Sequence, residues 1–266
     1  MTTKAVVLRT RPFGESDKIV TLLTEDSGKV TGIAKGAKRS RKRFGAALEL
    51  FCHVRLDYRE RRGTDLAFLE RAVILRPWSG VVCSLDRYAA ATHIIEVADK
   101  ISAEREVGCD LYDVVVAALE RLDRAEPCAA TLRIFELAVL AASGYGADFS
   151  RCVGCEAPLR DGDFGARVHV PGGGLLCSGC AGAEVAGIHL TRESLDCLHR
   201  MAGLVSLGLP NEERDTFCPV SLFGVDEGLE IAAARHRTAS ELRLAVSALI
   251  EPHLRSPLRS FDLMKW

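Results

Sequence analysis

Residues 51–59 read Phe-Cys-His-Val-Arg-Leu-Asp-Tyr-Arg. Cys52, Val54, Leu56 and Tyr58 fall on one side of an extended chain, and His53, Arg55, Asp57 and Arg59 on the other. A period of two marks a strand with one face buried. Upstream, Ala5–Leu8, Lys18–Leu23 and Lys29–Ala34 are apolar, β-branched runs separated by turn-forming residues at Glu15–Asp17 and Glu25–Gly28. Downstream, Leu66–Leu75 is a fifth run, and Ala46–Phe51 is expected to hold a short helical turn. Five short strands within about 75 residues predict a small closed or nearly closed barrel, because an open sheet would leave a face and two edges uncovered.

Arg76-Pro-Trp-Ser-Gly80 carries chain-breaking residues and is expected to be a linker. Beyond it the period changes. Tyr88, Ala91, Ile94, Ile95, Ala98 and Ile101 fall at helical spacing, as do runs from Leu111 to Leu122 and from Leu132 to Leu140. A fourth helix is expected near Thr191, with Leu190 and Leu195 as a hydrophobic staple. A last helix is expected from Thr238, with Glu241 completing a capping box. Residues 152–180 are rich in glycine and lack periodicity. The expected fold is therefore multidomain α+β: a five-stranded barrel over 1–80, then an α-helical domain over 81–266 with an insert at 150–182.

The length of 266 residues suits two domains, and an apolar fraction of 48% argues against disorder. No apolar run is long enough for a membrane span, and the start MTTKAVVLRTRPF has no apolar signal region, so a cytoplasmic protein with reduced cysteines is expected. The net charge of -1 conceals an asymmetry. Residues 1–80 hold 17 basic and 9 acidic side chains, and residues 81–266 hold 18 and 27. A barrel at +8 beside a helical half at -9 points to an acidic partner for the barrel.

Cys152-Val-Gly-Cys155 and Cys177-Ser-Gly-Cys180 are two C-x-x-C knuckles with 21 residues between them. Each pair places two thiolates on one side of a tight turn, and four soft sulfur ligands suit one structural Zn²⁺ per chain. Redox-active thiols and a site that has lost its metal are the alternatives. His169 lies between the knuckles and is not needed for a set of four. A closed site has no open position for water, so its role is folding. Cys52, Cys83, Cys109, Cys128, Cys197 and Cys218 sit singly and read as small core hydrophobes.

Lys35-Gly-Ala-Lys38-Arg39-Ser-Arg41-Lys42-Arg43 has six cations in nine residues and no acid. Such a segment is expected to be mobile until an anion neutralises it, and phosphates are the natural partner. Arg9, Arg11, Arg55 and Arg59 extend the same surface if their strands are neighbours. The alternative is a solvated loop or a processing signal. Aromatics are 6% of the chain. Phe44 adjoins the run, and Phe13, Phe51, Tyr58 and Phe68 are candidates for the core, so backbone contact with little sequence preference is expected. No phosphate-binding loop, nucleophile elbow or metalloprotease motif occurs in the chain, and no enzyme is expected.

The stretches AVVLRTRPFGESDKIVTLLTEDSGKVTGIAKGAKRSRKR, LRIFELAVLAASGYGADFSRCVGC and PLRSFDLMKW together resemble the RecO family of bacterial recombination mediators, over nearly the whole chain. The resemblance implies an N-terminal OB-fold, a helical C-terminal domain and an embedded zinc knuckle. It implies binding of single- and double-stranded DNA, annealing of complementary strands, and assistance to RecA loading on strands coated with single-strand-binding protein. It also implies a nucleoid-associated place in the cytoplasm, with RecR and the acidic C-terminal tail of single-strand-binding protein as partners. For that tail, the matching helical stretch offers Arg133 with Leu137 and Leu140, assisted by Arg121. The competing readings are an RNA-binding barrel with a zinc knuckle and a C-x-x-C thiol oxidoreductase.

Overall fold

The computed structural model describes residues 1–60, 63–64, 66–106, 110–159, 165–182, 187–210 and 217–260. Five strands form the N-terminal part: β1 (Thr2–Phe13), β2 (Asp17–Thr24), β3 (Gly28–Ala34), β4 (His53–Arg59) and β5 (Ala67–Arg76). They close into a barrel in the order β1-β2-β3-β5-β4, with β4 returning to β1. The pair β3/β5 is parallel and the others are antiparallel. This is the five-stranded Greek-key arrangement of an OB-fold. The alternation expected on β4 is present: Val54, Leu56 and Tyr58 enter the barrel core, while Arg55 and Arg59 are exposed.

The structure adds one irregularity. Val7 pairs with Leu22, but Arg9 pairs with Thr21, so a bulge falls at Leu8. Leu22 and Val20 belong to the barrel interior, and Thr21 lies between them on the outer side. The bulge therefore inverts the side-chain phase of β1 and turns Arg9, Arg11 and Phe13 outward. Ala46–Phe51 is not a helical turn. Phe44 O accepts from Ala47 N at 2.8 Å and Ala46 O from Glu49 N at 3.2 Å, giving successive tight turns.

The described residues divide into two compact units, one running from 1 to 126 and taking in 258–260, the other running from 127 to 257. The change from strand to helix falls at Arg76–Gly80, but that segment is packed. Trp78 is 1% exposed, its ring stacks on His53 at 5.4 Å, and Gly80 N donates to Asp123 Oδ1 at 2.7 Å. In the same unit, α1 (Leu85–Ile101) packs on β1 and β2, and α2 (Leu111–Arg124) packs on β1. Ser84 caps α1 by accepting from Arg87 N.

The second unit is built around α3 (Ala129–Ala142), with α5 (Arg192–Gly208), α7 (Glu227–Ala234) and α8 (His236–Ile250) against it. Two short helices, α4 (Ser178–Ala181) and α6 (Pro219–Leu222), and a hairpin of β6 (Arg167–His169) and β7 (Gly174–Leu176) complete its described elements. Thr191 caps α5 as expected, and Leu190 and Leu195 are both buried. The capping box at Thr238 is corrected. Helix α8 begins at His236 without a side-chain cap. Glu241 instead reaches across to α5, where its Oε2 accepts from Thr191 N at 2.7 Å and Ser194 Oγ at 2.7 Å. Helix α7, capped by Asp226, and the β6–β7 hairpin had no clear periodic signal in the sequence. Among the described residues, no helix is long and apolar enough to cross a membrane.

Candidate nucleic-acid interface and metal centre

The basic run occupies the connection from β3 to β4. It is anchored rather than loose, because Ala37 and Phe44 are buried in the barrel core at its two ends. Between these anchors, Lys38, Arg39, Arg41 and Lys42 are exposed, as is Lys35 just before them. Arg43 is half-buried and works inward: its guanidinium donates to Lys35 O at 2.6 Å and Ser40 Oγ at 3.2 Å, and lies 5.1 Å over the Phe44 ring. Lys38 ties the run to the β1–β2 turn, donating from N to Ser16 O and from Nζ to Gly14 O, both at 2.9 Å. Gly36 N donates to Asp17 Oδ1 at 2.8 Å, and this bond, with one from Ser16, holds the Asp17 carboxyl below its ordinary range. Among the described residues, none of the six cations forms an ion pair with a carboxylate.

The four outlying arginines approach the run from two different strands. Arg9 and Arg11 lie on the half of β1 that leads to the β1–β2 turn and so adjoin it; Arg9 is 3.8 Å from Asp99. Arg55 pairs with Lys4 near the other end of β1. Arg59 is beyond it, 3.3 Å from Glu70 and over the Phe68 ring at 4.7 Å. Around the closed barrel, however, Arg59 pairs with Phe68, whose other neighbour is Ile33, two residues before Lys35, and Arg55 pairs with Val73, next to Ala72, whose N donates to Arg43 O at 2.9 Å. Of the aromatics, Phe44, Phe51 and Tyr58 are core, Phe68 is half-buried, and Phe13 is 51% exposed.

In the second unit the two knuckles meet. Cys152 leads into a turn and Cys177 caps α4, which carries Cys180. The sulfurs of Cys152, Cys155, Cys177 and Cys180 all lie within 4.8 Å of one another, and those of Cys155 and Cys177 are 3.8 Å apart. A tetrahedral metal with bonds of about 2.3 Å sets its sulfurs about 3.8 Å apart. Backbone N–H groups aim at the sulfurs: Gly154 and Cys177 donate to Cys152 Sγ, and Cys180 donates to Cys177 Sγ, at 3.3–3.4 Å. Burial pushes the Cys152 thiol up, but the N–H groups of Cys177, Gly154 and Cys155 outweigh it and bring it down to about 6. Hydrogen bonds with Cys155, Cys177 and Cys152 push Cys180 up to about 12. The four cysteines are close enough to hold a metal ion, and the donor set fits one.

The remaining cysteines divide. Cys52 and Cys197 are buried, as expected. Cys83 is exposed, Cys128 caps α3 from a half-buried position, and Cys218 is half-buried, so the core reading does not hold for these three. Cys109 lies outside the described residues.

The candidate tail site needs correction. Arg133 is 3% exposed and its Nη2 is 3.0 Å from Glu136 Oε1, within α3. Leu137 and Leu140 are buried too, at 4% and 1% exposure. Burial pulls the Arg133 guanidinium below its ordinary range, with Glu136 opposing. These side chains face the interior of their unit and offer a peptide no surface. Arg121 is on α2, in the first unit, with its Nη1 buried.

Comparison with known proteins agrees with this architecture. Residues 1–78 match the family model for the Recombination protein O N terminal region, and residues 84–216 match that for the C terminal region. A DNA repair protein RecO from Anaeromyxobacter dehalogenans (strain 2CP-C) is 39% identical over 196 residues, covering 74% of this chain and 76% of that protein. The DNA repair protein RecO of Bifidobacterium adolescentis is 31% identical over 264 residues, covering 98% and 97%. That of Nocardioides sp. (strain ATCC BAA-499 / JS614) is 39% identical over 181 residues, covering 66% and 72%. A closed OB-like barrel in the region of the first model, a helical unit holding a four-cysteine cluster within the second, and end-to-end similarity to a curated relative place this chain in the RecO family.

Proposed function

We propose that this chain is a DNA repair and recombination mediator that works by binding, without catalysis. It binds single- and double-stranded DNA with little sequence preference, anneals complementary strands, and assists RecA loading on strands coated with single-strand-binding protein. RecR and the tail of single-strand-binding protein are its expected partners, in a nucleoid-associated cytoplasmic setting. The observation that carries this reading is the loop of Lys35, Lys38, Arg39, Arg41 and Lys42, exposed and lacking carboxylate ion pairs, held in place by buried Ala37 and Phe44. Annealing needs neutralisation of two phosphate backbones and no reacting group, which this loop is built to supply. Family membership supports the repair role. For the four cysteines we propose Zn²⁺, one per chain, because four thiolates at tetrahedral spacing are its preferred structural set. Bound zinc would hold the insert folded and leave no thiolate for redox exchange.

The test is an ATP-free annealing assay with complementary strands coated by single-strand-binding protein. It compares the native chain with a variant carrying Lys35→Ala, Arg39→Ala, Arg41→Ala and Lys42→Ala. Arg43 is left intact because it braces the loop. The variant should bind DNA on the order of 100-fold more weakly at moderate salt, and the log–log salt slope for single strands should shrink by about 3. Normal annealing by the variant would remove the loop as the DNA site. Native protein that binds RNA but does not anneal coated DNA would favour the RNA-binding alternative.

A further inference from the structure

In OB-folds, oligonucleotides are taken up on the face of the second and third strands and by the adjoining loops. Here that face is covered by the chain itself. Helix α1 packs on β2, and Ile19, Thr21, Leu23 and Ile33 are buried although they stand on the outer side. On β3, Glu104 accepts from Thr31 N at 3.2 Å and Thr31 Oγ1 at 2.8 Å, and Lys29 Nζ donates to Asp99. Gly28, at φ +60°, lies so close to the Glu106 carbonyl that any side chain there would collide with it. Acidic residues from 99 to 106 thus engage the polar groups that a nucleic-acid backbone would need. Nucleic acid must therefore be held at the rim.

Where the β1–β2 turn meets the basic loop, the ring of Phe13 is exposed. The bulge at Leu8 turns Arg11 and Phe13 to the same outer side, two residues apart. Phe13 is 51% exposed at the end of β1, just before Gly14, which turns the chain at φ +57°. The basic loop is fastened to this same turn. Lys38 bonds Gly14 O and Ser16 O, and Gly36 N bonds Asp17, the residue paired with Phe13. The Asp17 charge is taken up by that bond and by the Ser16 hydroxyl. An aromatic face fixed beside unpaired cations is the combination that holds single strands: the cations follow the phosphates and a base stacks on the ring. Paired bases stack on one another and offer no such face.

We infer that Phe13 is the base-stacking platform of the DNA surface, taking an unpaired base of single-stranded DNA while Arg11 and the basic loop hold the backbone. The inference rests on the proposed DNA-binding role of the loop. It assigns single-strand preference to Phe13 and general phosphate affinity to the cations.

The experiment measures binding of oligo-dT and of a duplex of equal length to the full chain. Phe13→Ala should weaken oligo-dT binding about tenfold, within the 5- to 100-fold range of one stacked base, and leave duplex binding within about twofold. Phe13→Trp should restore oligo-dT binding, and its emission should be quenched by oligo-dT and not by duplex. The half-exposed ring makes little of the core, so the unfolding midpoint of both variants should match the native chain. Equal losses for both DNAs, no loss for either, or an unquenched Phe13→Trp would overturn the inference. The four-cation loop variant separates the two claims. If it loses both DNAs while Phe13→Ala keeps full oligo-dT affinity, the stacking role fails and the loop stands. If the native chain binds neither DNA, both fail.

Discussion

The connection at 35–52 and the cysteine insert at 152–180 both lack periodicity, and they are held in opposite ways. The basic loop borrows its order from the barrel. Phe44 at 3% exposure, with Ala37, Ala47 and Leu48, fills barrel core, and the cations are what is left outside. The insert buries apolar side chains too, among them Ala166, Val168 and Leu175, but on very short elements. Its strands β6 and β7 are three residues each, too short for a hairpin to be stable alone. The cross-link proposed for it is a metal held by the sulfur cluster. Burial of apolar side chains on a barrel can therefore fix a segment that carries exposed charge, whereas an insert whose buried side chains sit on three-residue strands is expected to need a ligand as well.

The largest expected effect breaks the insert and spares the loop. Cys155→Ser with Cys177→Ser, or prolonged chelation, should take bound metal from about one equivalent to none. Zinc binding of this type is worth roughly 10–16 kcal/mol in small peptides, so the insert should unfold, seen as new protease cleavage between residues 150 and 182 and a lowered unfolding midpoint. Oligo-dT affinity should stay within about twofold. A metal-free protein with the native cleavage pattern would show that the insert holds itself.

The reverse experiment removes the loop's anchor. Phe44→Ala should cost about 3–5 kcal/mol in chemical unfolding, the usual price of a fully buried ring, and should expose residues 35–43 to trypsin. Metal content should not change. DNA affinity should fall less than in the four-cation variant, because the charges remain and only their placement is lost. A native trypsin pattern would mean that the loop is fixed by Lys38 and Arg43 rather than by the core.

Much of this was legible in the sequence, for a common reason. A strand between a core and an outer face, as in residues 53–59, must alternate, and two paired thiol knuckles have few uses. What was not legible depends on a second covering surface. Helix α3 shows a helical apolar stripe, but it is buried on eleven of its fourteen residues, so Arg133 is enclosed with Glu136 instead of lying on a free face. The bulge at Leu8 leaves no mark in composition, yet it decides which way Arg11 and Phe13 point. The run Lys35–Arg43 reads as pure charge repulsion until Phe44 is seen in the barrel core. Glu241 stands three residues after Thr238, the spacing of a capping box, and its side chain serves a different helix.

Glu241 offers the smallest effect and a third way of fixing a segment. Burial works against its charge, but bonds from Ser194, Thr191 and Arg237 outweigh that and hold its carboxyl at about 2, against an ordinary 4.5. A carboxyl depressed in the folded state stabilises fully above 4.5 and loses that contribution as the pH falls towards about 2, because the unfolded chain takes up the proton first. Glu241→Gln keeps one acceptor oxygen and removes the charge, which should cost about 2 kcal/mol at neutral pH, as for a hydrogen bond to a charged group. The difference between native and variant in urea unfolding should shrink steadily between pH 4.5 and 2. Acid would also release a metal held by the four cysteines, but it would do so in both chains, so the difference isolates the carboxylate. A difference that stays constant with pH would mean that Glu241 holds the start of α5 by shape alone, and that the second unit does without this charged cap.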